Sequence, residues 1–391
     1  MKIAYILNST VANGGATKAF LNILDGLSQY DIKPYVVVPD RDGVFLELSN
    51  RQIPTLVQTY RPSVYPYSHT LKQRMLFLPK LAARIIVNHK ATRALSKWIR
   101  ENGIDIVHSN TGVVRIGFDA ARKTGIPHIY HIREFANMLG YHYFPMQASF
   151  AHQLKYNCSY SICITKAVQH HYYQDNKTKR SRVIYDGVFS QMTDFPSSVS
   201  KSYFLFAGRI QPPKGLDQLL NAYKIYADQS PAPIPLKVAG SNGDDASYQK
   251  QLKYIKDNHL TEHVELLGNR DDIAALMREA RALIVSSLFE GFGFCMPEAM
   301  QQGCLVIGRN TSGTKEQMDN ALEMTGKEIA LRYETAEELA KLLSEVASNP
   351  PEFYRPYLER AFKTVNKLYT VENNARQIYQ FYKDILNGTN T

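Results

Sequence analysis

The sequence predicts an α/β protein of two domains, each built on a doubly wound parallel sheet. Its 391 residues are enough for two or three domains at about 150 residues each. Short apolar runs rich in Val, Ile and Tyr alternate with stretches of helical periodicity, a pattern typical of parallel sheets covered on both faces. Because such sheets bind ligands at the carboxyl ends of their strands, we expect the two domains to face a central cleft.

The first predicted domain spans residues 1–188. Its seven predicted strands are Ile3–Leu7, Tyr35–Val38, Thr55–Val57, Ile104–His108, His128–Ile132, Tyr160–Ile164 and Arg182–Tyr185. A polar joint rich in Ser, with one Pro, follows Ser190 and is typical of a linker.

The second predicted domain spans residues 189–371, and a terminal helix in 372–388 completes the first. The six predicted strands of the second domain are Tyr203–Ala207, Leu236–Ala239, Val264–Leu267, Ala282–Ser286, Cys304–Ile307 and Ile329–Arg332. The terminal helix carries its apolar residues on one face. They are Ala375, Ile378, Tyr379, Tyr382 and Leu386.

Composition excludes several classes of protein. With 44% hydrophobic and 21% charged residues, the chain is not of the disordered or collagenous type. Its longest apolar runs are strand-sized and far short of the roughly 20 residues of a membrane-spanning helix, and its beginning is unlike a secretory signal. We therefore expect a cytoplasmic protein. The four cysteines form no C-x-x-C pair, so we expect buried free thiols.

Positive charge is concentrated in the first half of the chain. The first 190 residues hold 24 Lys and Arg against 11 Asp and Glu, and no carboxylate lies between Glu47 and Glu101. Two interpretations of this stretch remain open. Its apolar residues, which include Leu78, Leu81, Ala82, Ile85 and Ile86 at helical spacing, either pack on the domain's own sheet or rest with the cations on an anionic membrane surface.

Four loops that follow predicted strands have the composition of ligand sites. Asn13-Gly14-Gly15 comes just before a helical pattern, where adjacent glycines let backbone N–H groups approach an anion. Alone, this turn is equally typical of a plain tight turn.

The second and third loops carry charged side chains between glycines. In Gly208-Arg209-Ile210-Gln211-Pro212-Pro213-Lys214-Gly215, two cations five residues apart suit a diphosphate, although solvated cations would look the same. In Glu290-Gly291-Phe292-Gly293-Phe294-Cys295-Met296-Pro297-Glu298, glycines let the backbone run close to a ligand, and the last carboxylate can accept two vicinal hydroxyls of a ribose. The fourth loop, Ser312-Gly313-Thr314-Lys315-Glu316, has the donors of an anion nest.

The last three strings, in this order, resemble the retaining GT-B glycosyltransferases of family four, which transfer a sugar from a nucleotide diphosphate sugar. The resemblance spans nearly the whole chain and implies a GT-B fold of two Rossmann-like domains. It implies a hexosyltransferase with a nucleotide-sugar donor, UDP-linked by default, and a glycan or lipid-linked acceptor in cell-surface polysaccharide or glycoconjugate synthesis. No cofactor and no metal are expected, and peripheral contact with the inner membrane is an open expectation.

The resemblance also implies roles for individual residues. Arg209 and Lys214 would hold the diphosphate and stabilise its charge as it leaves. The residues that the resemblance assigns to catalysis are His131, Glu290, Arg209 and Lys214. The residues that it assigns to donor binding are Gly15, Gly208, Arg209, Lys214, Phe292, Gly293, Phe294 and Glu298. Those assigned to the acceptor side are Asn13, Gly14, Gly15, Arg133 and Glu134, of which the last two either reach a substrate or pair with each other.

Two carboxylate positions and the class of function have more than one interpretation. Asp186 stands where the family often has Asn in Asn-Gly-Val, which puts any role of an amide there in doubt. Asp40 and Asp42 resemble a D-x-D metal motif, but we favour a loop turn distant from the diphosphate cations. The alternative functions are a basic nucleic-acid- or polyanion-binding protein, which the absence of any nucleic-acid motif disfavours, and a sugar-nucleotide epimerase on the same scaffold.

Overall fold

The computed structural model describes residues 1–11, 14–66, 71–138, 140–143, 147–174, 178–196, 201–241 and 245–388. The chain divides into two compact units. Unit 1 holds residues 1–187 and the C-terminal segment from Val371 onward, and unit 2 holds residues 188–370.

Unit 1 is built on a sheet of seven parallel strands. The strands of this unit, in chain order, are β1 (Lys2–Ile6), β2 (Lys33–Val38), β3 (Thr55–Val57), β4 (Val64–Pro66), β5 (Ile106–Ser109), β6 (His128–Ile132), β7 (Tyr141–Tyr143), β8 (Ser159–Cys163) and β9 (Ser181–Val183). The order in the large sheet is β3-β2-β1-β5-β6-β8-β9. All neighbouring strands of this sheet pair parallel, which confirms the predicted α/β architecture. Strands β5, β6 and β8 are buried along their whole length, as expected of a parallel sheet covered on both faces.

The short strands β4 and β7 pair antiparallel, apart from the large sheet. Neither strand was predicted from the sequence. Each has three residues, too few for an alternating pattern to be recognised, and each is a strand only because it meets the other across the chain.

Helices cover the sheet of unit 1. They are α1 (Gly15–Leu27), α2 (Val44–Asn50), α3 (Leu71–Met75), α4 (Phe77–Asn102), α5 (Ile116–Thr124), α6 (Gln147–Leu154) and α7 (Lys166–Tyr173). Among the described helices, none combines the length and the apolar content that a bilayer crossing requires.

Unit 2 is a second α/β layer structure with six parallel strands in the order β12-β11-β10-β13-β14-β15. The strands are β10 (Tyr203–Ala207), β11 (Leu236–Ala239), β12 (Val264–Gly268), β13 (Ala280–Val285), β14 (Leu305–Arg309) and β15 (Leu331–Tyr333). Its helices are α8 (Leu216–Gln229), α9 (Asp245–Asp257), α10 (Ile273–Glu279), α11 (Cys295–Gln301), α12 (Ser312–Thr325), α13 (Ala336–Ser348) and α14 (Arg355–Leu368), with short 3₁₀ turns at Pro212–Lys214 and Pro351–Tyr354.

The terminal helix, α15 (Val371–Leu386), belongs to unit 1 and packs against α1. The two helices approach so closely that a Cβ on Gly26 would lie 2.7 Å from the Cβ of Ala375. The buried stripe of α15 is offset from the predicted one: Phe381 and Ile385 are buried, whereas Leu386 is 42% exposed. The reason is that α1 and the sheet, rather than the helix's own periodicity, select the covered face.

All four cysteines are free thiols. The expectation that all would be buried is only partly correct. Cys163 and Cys304 are buried, whereas Cys158 and Cys295 are half-buried.

Candidate functional site

In unit 2, the loop after β10 is fixed by a close approach of backbones. Gly215 has φ +68°, and a Cβ there would overlap the carbonyl oxygen of Ser286, which follows β13. The Ser286 hydroxyl donates to the carbonyl oxygen of Lys214 at 3.0 Å, and the N–H of Leu288 donates to that of Pro213 at 2.9 Å. The loops after the two central strands are therefore one rigid assembly, and only glycine fits at position 215.

This assembly pairs Lys214 with Glu290. The amino group of Lys214 lies 2.5 Å from Glu290 Oε1, which also accepts a hydrogen bond from the hydroxyl of Ser287 at 2.7 Å. Burial, the largest single influence, lowers the pKa of Lys214, but Glu290 and Cys295 raise it, and the net pKa lies above its ordinary value. Lys214 therefore stays charged, with Glu290 as its counter-ion.

Arg209 differs from Lys214 in its exposure and, among the described residues, in its lack of a counter-ion. It is exposed, and its charge is close enough to oppose protonation of Lys214. Within the described part of the chain, its guanidinium has no hydrogen bond or ion pair to protein. The two predicted diphosphate cations thus lie in one neighbourhood, but only Arg209 has an uncompensated charge.

Residues of α12 donate hydrogen bonds to the loop after β13. The N–H of Gly313 donates to the carbonyl oxygen of Glu290 at 3.1 Å, and Gln317 Nε2 donates to that of Phe292 at 2.6 Å. A Cβ on Gly313 would lie 2.9 Å from backbone atoms of Gly291 and Phe292. The interpretation of the fourth loop as an anion nest is therefore wrong for Gly313, whose N–H is already used to shape the neighbouring loop.

Helix α11 continues that loop and carries Glu298 in its first turn, at the predicted helix start. Phe292 is buried, whereas Gly293 and Phe294 are half-buried, and Gly293 has φ +90°. Burial, with Glu290 nearby, raises the pKa of the Cys295 thiol to about 12. Cys295 is therefore a protonated, unreactive thiol at neutral pH.

Sequence analysis missed Gly240, at the end of β11. A Cβ there would overlap the carbonyl oxygen of Gly208, and the N–H of Gly208 donates to the carbonyl of Ala239 at 2.9 Å. The signal was present in the sequence, because a glycine directly follows the apolar run of β11, as one follows β10. Gly240 therefore lets the loop after β11 pack directly against the backbone of the loop after β10.

In unit 1, His131 lies near the end of β6, as predicted, and is fully buried. Its Nδ1 lies 3.1 Å from Nε2 of His108 and 3.2 Å from Nη2 of Arg133. Its Nε2 is buried without a hydrogen-bond partner, 3.8 Å from Asp186 Oδ1. Burial, then Arg133 and His108, hold the pKa of His131 well below its ordinary value, so the ring is neutral.

Arg133 pairs with Asp186 rather than with Glu134. Its Nη1 donates to Asp186 Oδ1, and its Nε donates to the carbonyl oxygen of Asn110 at 3.0 Å. Both charged groups are buried. Asp186, the position where the chain departs from Asn-Gly-Val, is therefore the counter-ion of Arg133, a role that sequence analysis missed because the two residues are 53 positions apart.

Glu134 lies among backbone N–H groups. Those of Gly112, Arg133 and Val113 lower the pKa of its carboxyl group. Its Oε1 is buried without a hydrogen-bond partner, although the residue as a whole is half-buried. Burial raises the pKa of Glu134 to about 7, and Arg133 and the backbone donors oppose the rise. The group therefore titrates near neutral pH, and one of its buried oxygens lacks a hydrogen-bond partner.

The predicted glycine turn lies at the start of α1. Gly14 is the N-cap and Gly15 the first helical residue, whereas Asn13 lies outside the described residues. A Cβ on Gly15 would have no atom within 4 Å, so this position would also accept a larger residue.

The carboxylate pair after β2 forms a turn. Asp40 accepts hydrogen bonds from the hydroxyl of Thr10 and from the N–H of Asp42, the latter at 3.2 Å. In the described part of the chain, no three His, Cys, Asp or Glu side chains group as metal ligands.

Comparisons with known families agree with this architecture. Residues 190–364 match the family model described as Glycosyl transferases group 1, and residues 13–190 match the one described as Glycosyltransferase Family 4. Together the two matches account for most of both units. The chain belongs to the GT-B glycosyltransferases of group 1.

The chain resembles individual glycosyltransferases more distantly. It is 30% identical to the uncharacterized glycosyltransferase YqgM of Bacillus subtilis over 30% of this chain and 32% of that protein. It is 24% identical to UDP-Gal:alpha-D-GlcNAc-diphosphoundecaprenol alpha-1,3-galactosyltransferase of Escherichia coli, over 61% and 67% of the two chains. The matched regions span between 32% and 56% of the first three curated relatives.

Solved structures share the fold over nearly the whole chain. Anabaena Alr3699/HepE in complex with UDP has a TM-score of 0.76 at 20% identity, covering 98% of this chain and 100% of that one. The same protein in complex with UDP-glucose has a TM-score of 0.75 at 19% identity, with the same coverage. At these identities the likeness establishes the fold.

Proposed function

We propose that the chain transfers a hexosyl group, with retention of configuration, from a UDP-sugar to a glycan or lipid-linked acceptor in cell-surface polysaccharide or glycoconjugate synthesis. The observation that carries this proposal is the Lys214–Glu290 pair beside the exposed Arg209, at a sheet edge shaped by Gly208, Gly215 and Gly240. Solved relatives of this fold were crystallised with UDP and UDP-glucose.

Unit 2 would supply the donor site. Arg209 and Lys214 would hold the diphosphate, and the charge that grows on this leaving group would strengthen both contacts in the transition state. Glu290 would lie beside the sugar, and the backbone of residues 292–294 would run along it. When the diphosphate arrives it competes with Glu290 for Lys214, which frees a carboxylate oxygen to accept a sugar hydroxyl.

Unit 1 would supply the remaining contacts. His131, through its unpartnered Nε2, would contact the donor sugar. Glu134, through its unpartnered Oε1, and the backbone at Gly14 and Gly15 would meet the acceptor. Arg133 would act through its contact with His131 rather than on the acceptor directly, since Asp186 and Asn110 occupy its donors.

We infer that the reaction needs no metal ion. The argument is electrostatic: Arg209 and Lys214 already bring two positive charges to the place where a divalent ion would otherwise neutralise the diphosphate.

We also propose that the protein rests on the cytoplasmic face of an anionic membrane through its α4 surface. We define this surface as the exposed apolar side chains of the α3–α4 region with three exposed cations from the first two thirds of α4. Its members are Leu71, Met75, Leu76, Leu78, Ile85 and Ile86, with Lys80, Lys90 and Arg93. Leu78 is 69% and Ile86 57% exposed, so this face does not pack on the domain's own sheet.

A cationic cavity adjoins the α4 surface. It has a volume of about 440 Å³, and its lining includes Arg84, Arg115, Arg122 and Lys123 against the single carboxylate Asp119. An excess of positive charge beside exposed aliphatic side chains matches a lipid with an anionic headgroup.

The proposed activity is tested by incubating the purified chain with UDP-glucose, UDP-galactose and UDP-N-acetylglucosamine, with and without a glycan acceptor. Transfer that requires the acceptor, with the anomeric configuration of the donor retained by NMR, supports the proposal. A changed sugar nucleotide without acceptor would indicate an epimerase instead. Binding of any polyanion with strong salt dependence, and none of UDP, would indicate a nucleic-acid-binding protein.

The proposed role of Glu298 is tested by comparing the binding of UDP with that of 2′-deoxy-UDP. If its carboxylate accepts the ribose hydroxyls, the wild-type chain binds UDP at least about tenfold more tightly than 2′-deoxy-UDP. Glu298→Ala should weaken the binding of UDP and abolish the preference for UDP over 2′-deoxy-UDP. A variant that binds UDP weakly but still prefers it to 2′-deoxy-UDP would show that other residues hold the ribose.

A further inference from the structure

The environment of His131 determines which of its nitrogens carries the proton. Arg133 is permanently charged and can only donate hydrogen bonds, and its Nη2 lies 3.2 Å from His131 Nδ1. A proton on Nδ1 would therefore face a cationic donor. Because the ring is neutral, its one proton belongs on Nε2.

His108 reinforces this assignment from the other side. Its Nε2 lies 3.1 Å from His131 Nδ1, so with Nδ1 an acceptor, His108 must donate through Nε2. Burial and then Arg133 lower the pKa of His108 to about 3, and the ring is neutral. Its own Nδ1 is then an acceptor, and the hydroxyl of Tyr382 lies 2.5 Å from it.

Tyr382 thus stands at the end of a chain of hydrogen bonds. It lies on α15, 274 positions from His108, and both side chains are buried. The hydroxyl of Tyr382 is also placed to donate to that of Tyr5, 3.3 Å away, but that opposite polarity would put a proton on His131 Nδ1 against Arg133. The shorter contact to His108 and the charge of Arg133 both favour the first arrangement.

We propose that Tyr382 and His108 are positioning residues that, together with Arg133, lock His131 with its proton on Nε2. The donor sugar then meets a fixed hydrogen-bond donor, directed at a ring or hydroxyl oxygen, in place of a ring that can switch between donor and acceptor. This inference rests on the proposed function of His131, but the proton position is a property of the unliganded chain.

The first test is therefore independent of activity. In the ¹⁵N-histidine-labelled protein, with the His131 signals identified by their loss in His131→Asn, Nε2 should appear protonated and Nδ1 unprotonated throughout pH 6–8. A proton on Nδ1, or a mixture of the two tautomers, would overturn the proposal. Loss of transfer activity in His131→Asn tests the proposed function separately.

The second test uses paired variants. His108→Gln keeps an acceptor for Tyr382 and a donor for His131, whereas His108→Leu removes both. We expect His108→Leu to lower kcat/KM for the UDP-sugar about tenfold, as for one lost hydrogen bond, and His108→Gln to restore it to within about threefold. UDP affinity should stay unchanged in both, because UDP is held by unit 2.

Tyr382→Phe keeps the packing of the ring and removes only the hydroxyl. It should lower kcat/KM by about three- to tenfold and broaden or shift the His108 and His131 nitrogen signals, whereas Tyr379→Phe, half-buried on the same helix, should change neither. Equal losses in His108→Leu and His108→Gln, or unchanged signals in Tyr382→Phe, would overturn the positioning role.

Discussion

The amino group of Lys214 lies 2.5 Å from a carboxylate oxygen of Glu290, although 76 positions separate the two residues. The pair joins the loops that follow the two central strands of unit 2. In the unliganded chain it neutralises one of the two cations predicted to meet the diphosphate. Arg209 therefore carries the uncompensated charge that an incoming diphosphate would meet first in the proposed donor site.

Arg209→Ala should reduce the transfer rate about a hundredfold or more, because a fixed charge on the leaving group is worth roughly 3 kcal/mol in the transition state. The melting temperature should stay unchanged, since Arg209 is exposed. Arg270→Ala is the matched control: this exposed arginine follows β12 at the same sheet edge and pairs with Asp272. Similar rates for both variants and wild type would remove Arg209 from the site.

Transfer should persist in excess EDTA at the rate measured without it. In the proposed site, Arg209 and Lys214 would supply the positive charge that a divalent ion brings in other enzymes. The measurement is the initial rate after prolonged chelation, followed by addition of Mn²⁺ or Mg²⁺. Complete loss that either ion restores would contradict metal independence and direct attention back to Asp40 and Asp42.

Gly215→Ala should destabilise the chain far more than Gly268→Ala. Both glycines have φ +68°, so each substitution costs about 1–2 kcal/mol for the left-handed backbone. A Cβ at position 215 also overlaps the Ser286 carbonyl, whereas nothing lies within 4 Å of one at position 268. Gly215→Ala should therefore cost about 1–3 kcal/mol more in the free energy of unfolding measured in urea. Equal costs would show that the loop has room to move.

Glu134 should make the folded state less stable as pH rises. Its pKa is about 7 in the folded chain against an ordinary 4.5, so between these pH values the folded state holds a proton that the unfolded state has lost. The stabilisation of the folded state that comes from protonated Glu134 is fully present below pH 4.5 and is lost as pH rises to 7. Glu134→Gln should remove this slope and be more stable than wild type at pH 8, by at most about 3 kcal/mol.

Comparing urea unfolding of wild type and Glu134→Gln from pH 5 to 8 isolates this effect. The subtraction is needed because the buried His108, with its lowered pKa, gives a slope of opposite sign below pH 6.5. A difference between the two proteins that is independent of pH would show that Glu134 ionises normally.

Anionic vesicles should carry the chain upward in a flotation gradient at low salt, and high salt should release it. Neutralising Lys80, Lys90 and Arg93 to Gln, or Leu78→Ser with Ile86→Ser, should weaken binding at least several-fold. Arg84 is left intact, because its guanidinium packs 4.4 Å from the ring centre of Tyr65 and donates to Val64.

The control for flotation carries the same change of charge on unit 2, with the exposed Lys253, Lys256 and Lys341 replaced by Gln. It should float like wild type. Equal weakening by both triple variants would indicate attraction by net charge alone, and no flotation of wild type would contradict membrane contact while leaving the transferase proposal intact.

The sequence by itself determined the architecture. Apolar runs such as His128–Ile132 and Tyr203–Ala207 are strands with the predicted bounds, because a parallel strand buried on both faces must be apolar throughout. The sequence also located the loops of the candidate site, since glycines and charged residues directly after such runs lie at the carboxyl edge of a sheet.

The tertiary structure alone decided which groups meet. The partners Lys214 and Glu290, Arg133 and Asp186, and His108 and Tyr382 are far apart in the chain, and no periodicity encodes a contact between distant segments. The same holds for burial. Leu78 and Leu81 both fit the helical pattern of α4, yet one is exposed and the other buried, because periodicity defines a face of a helix and only packing against the rest of the fold decides whether that face is covered.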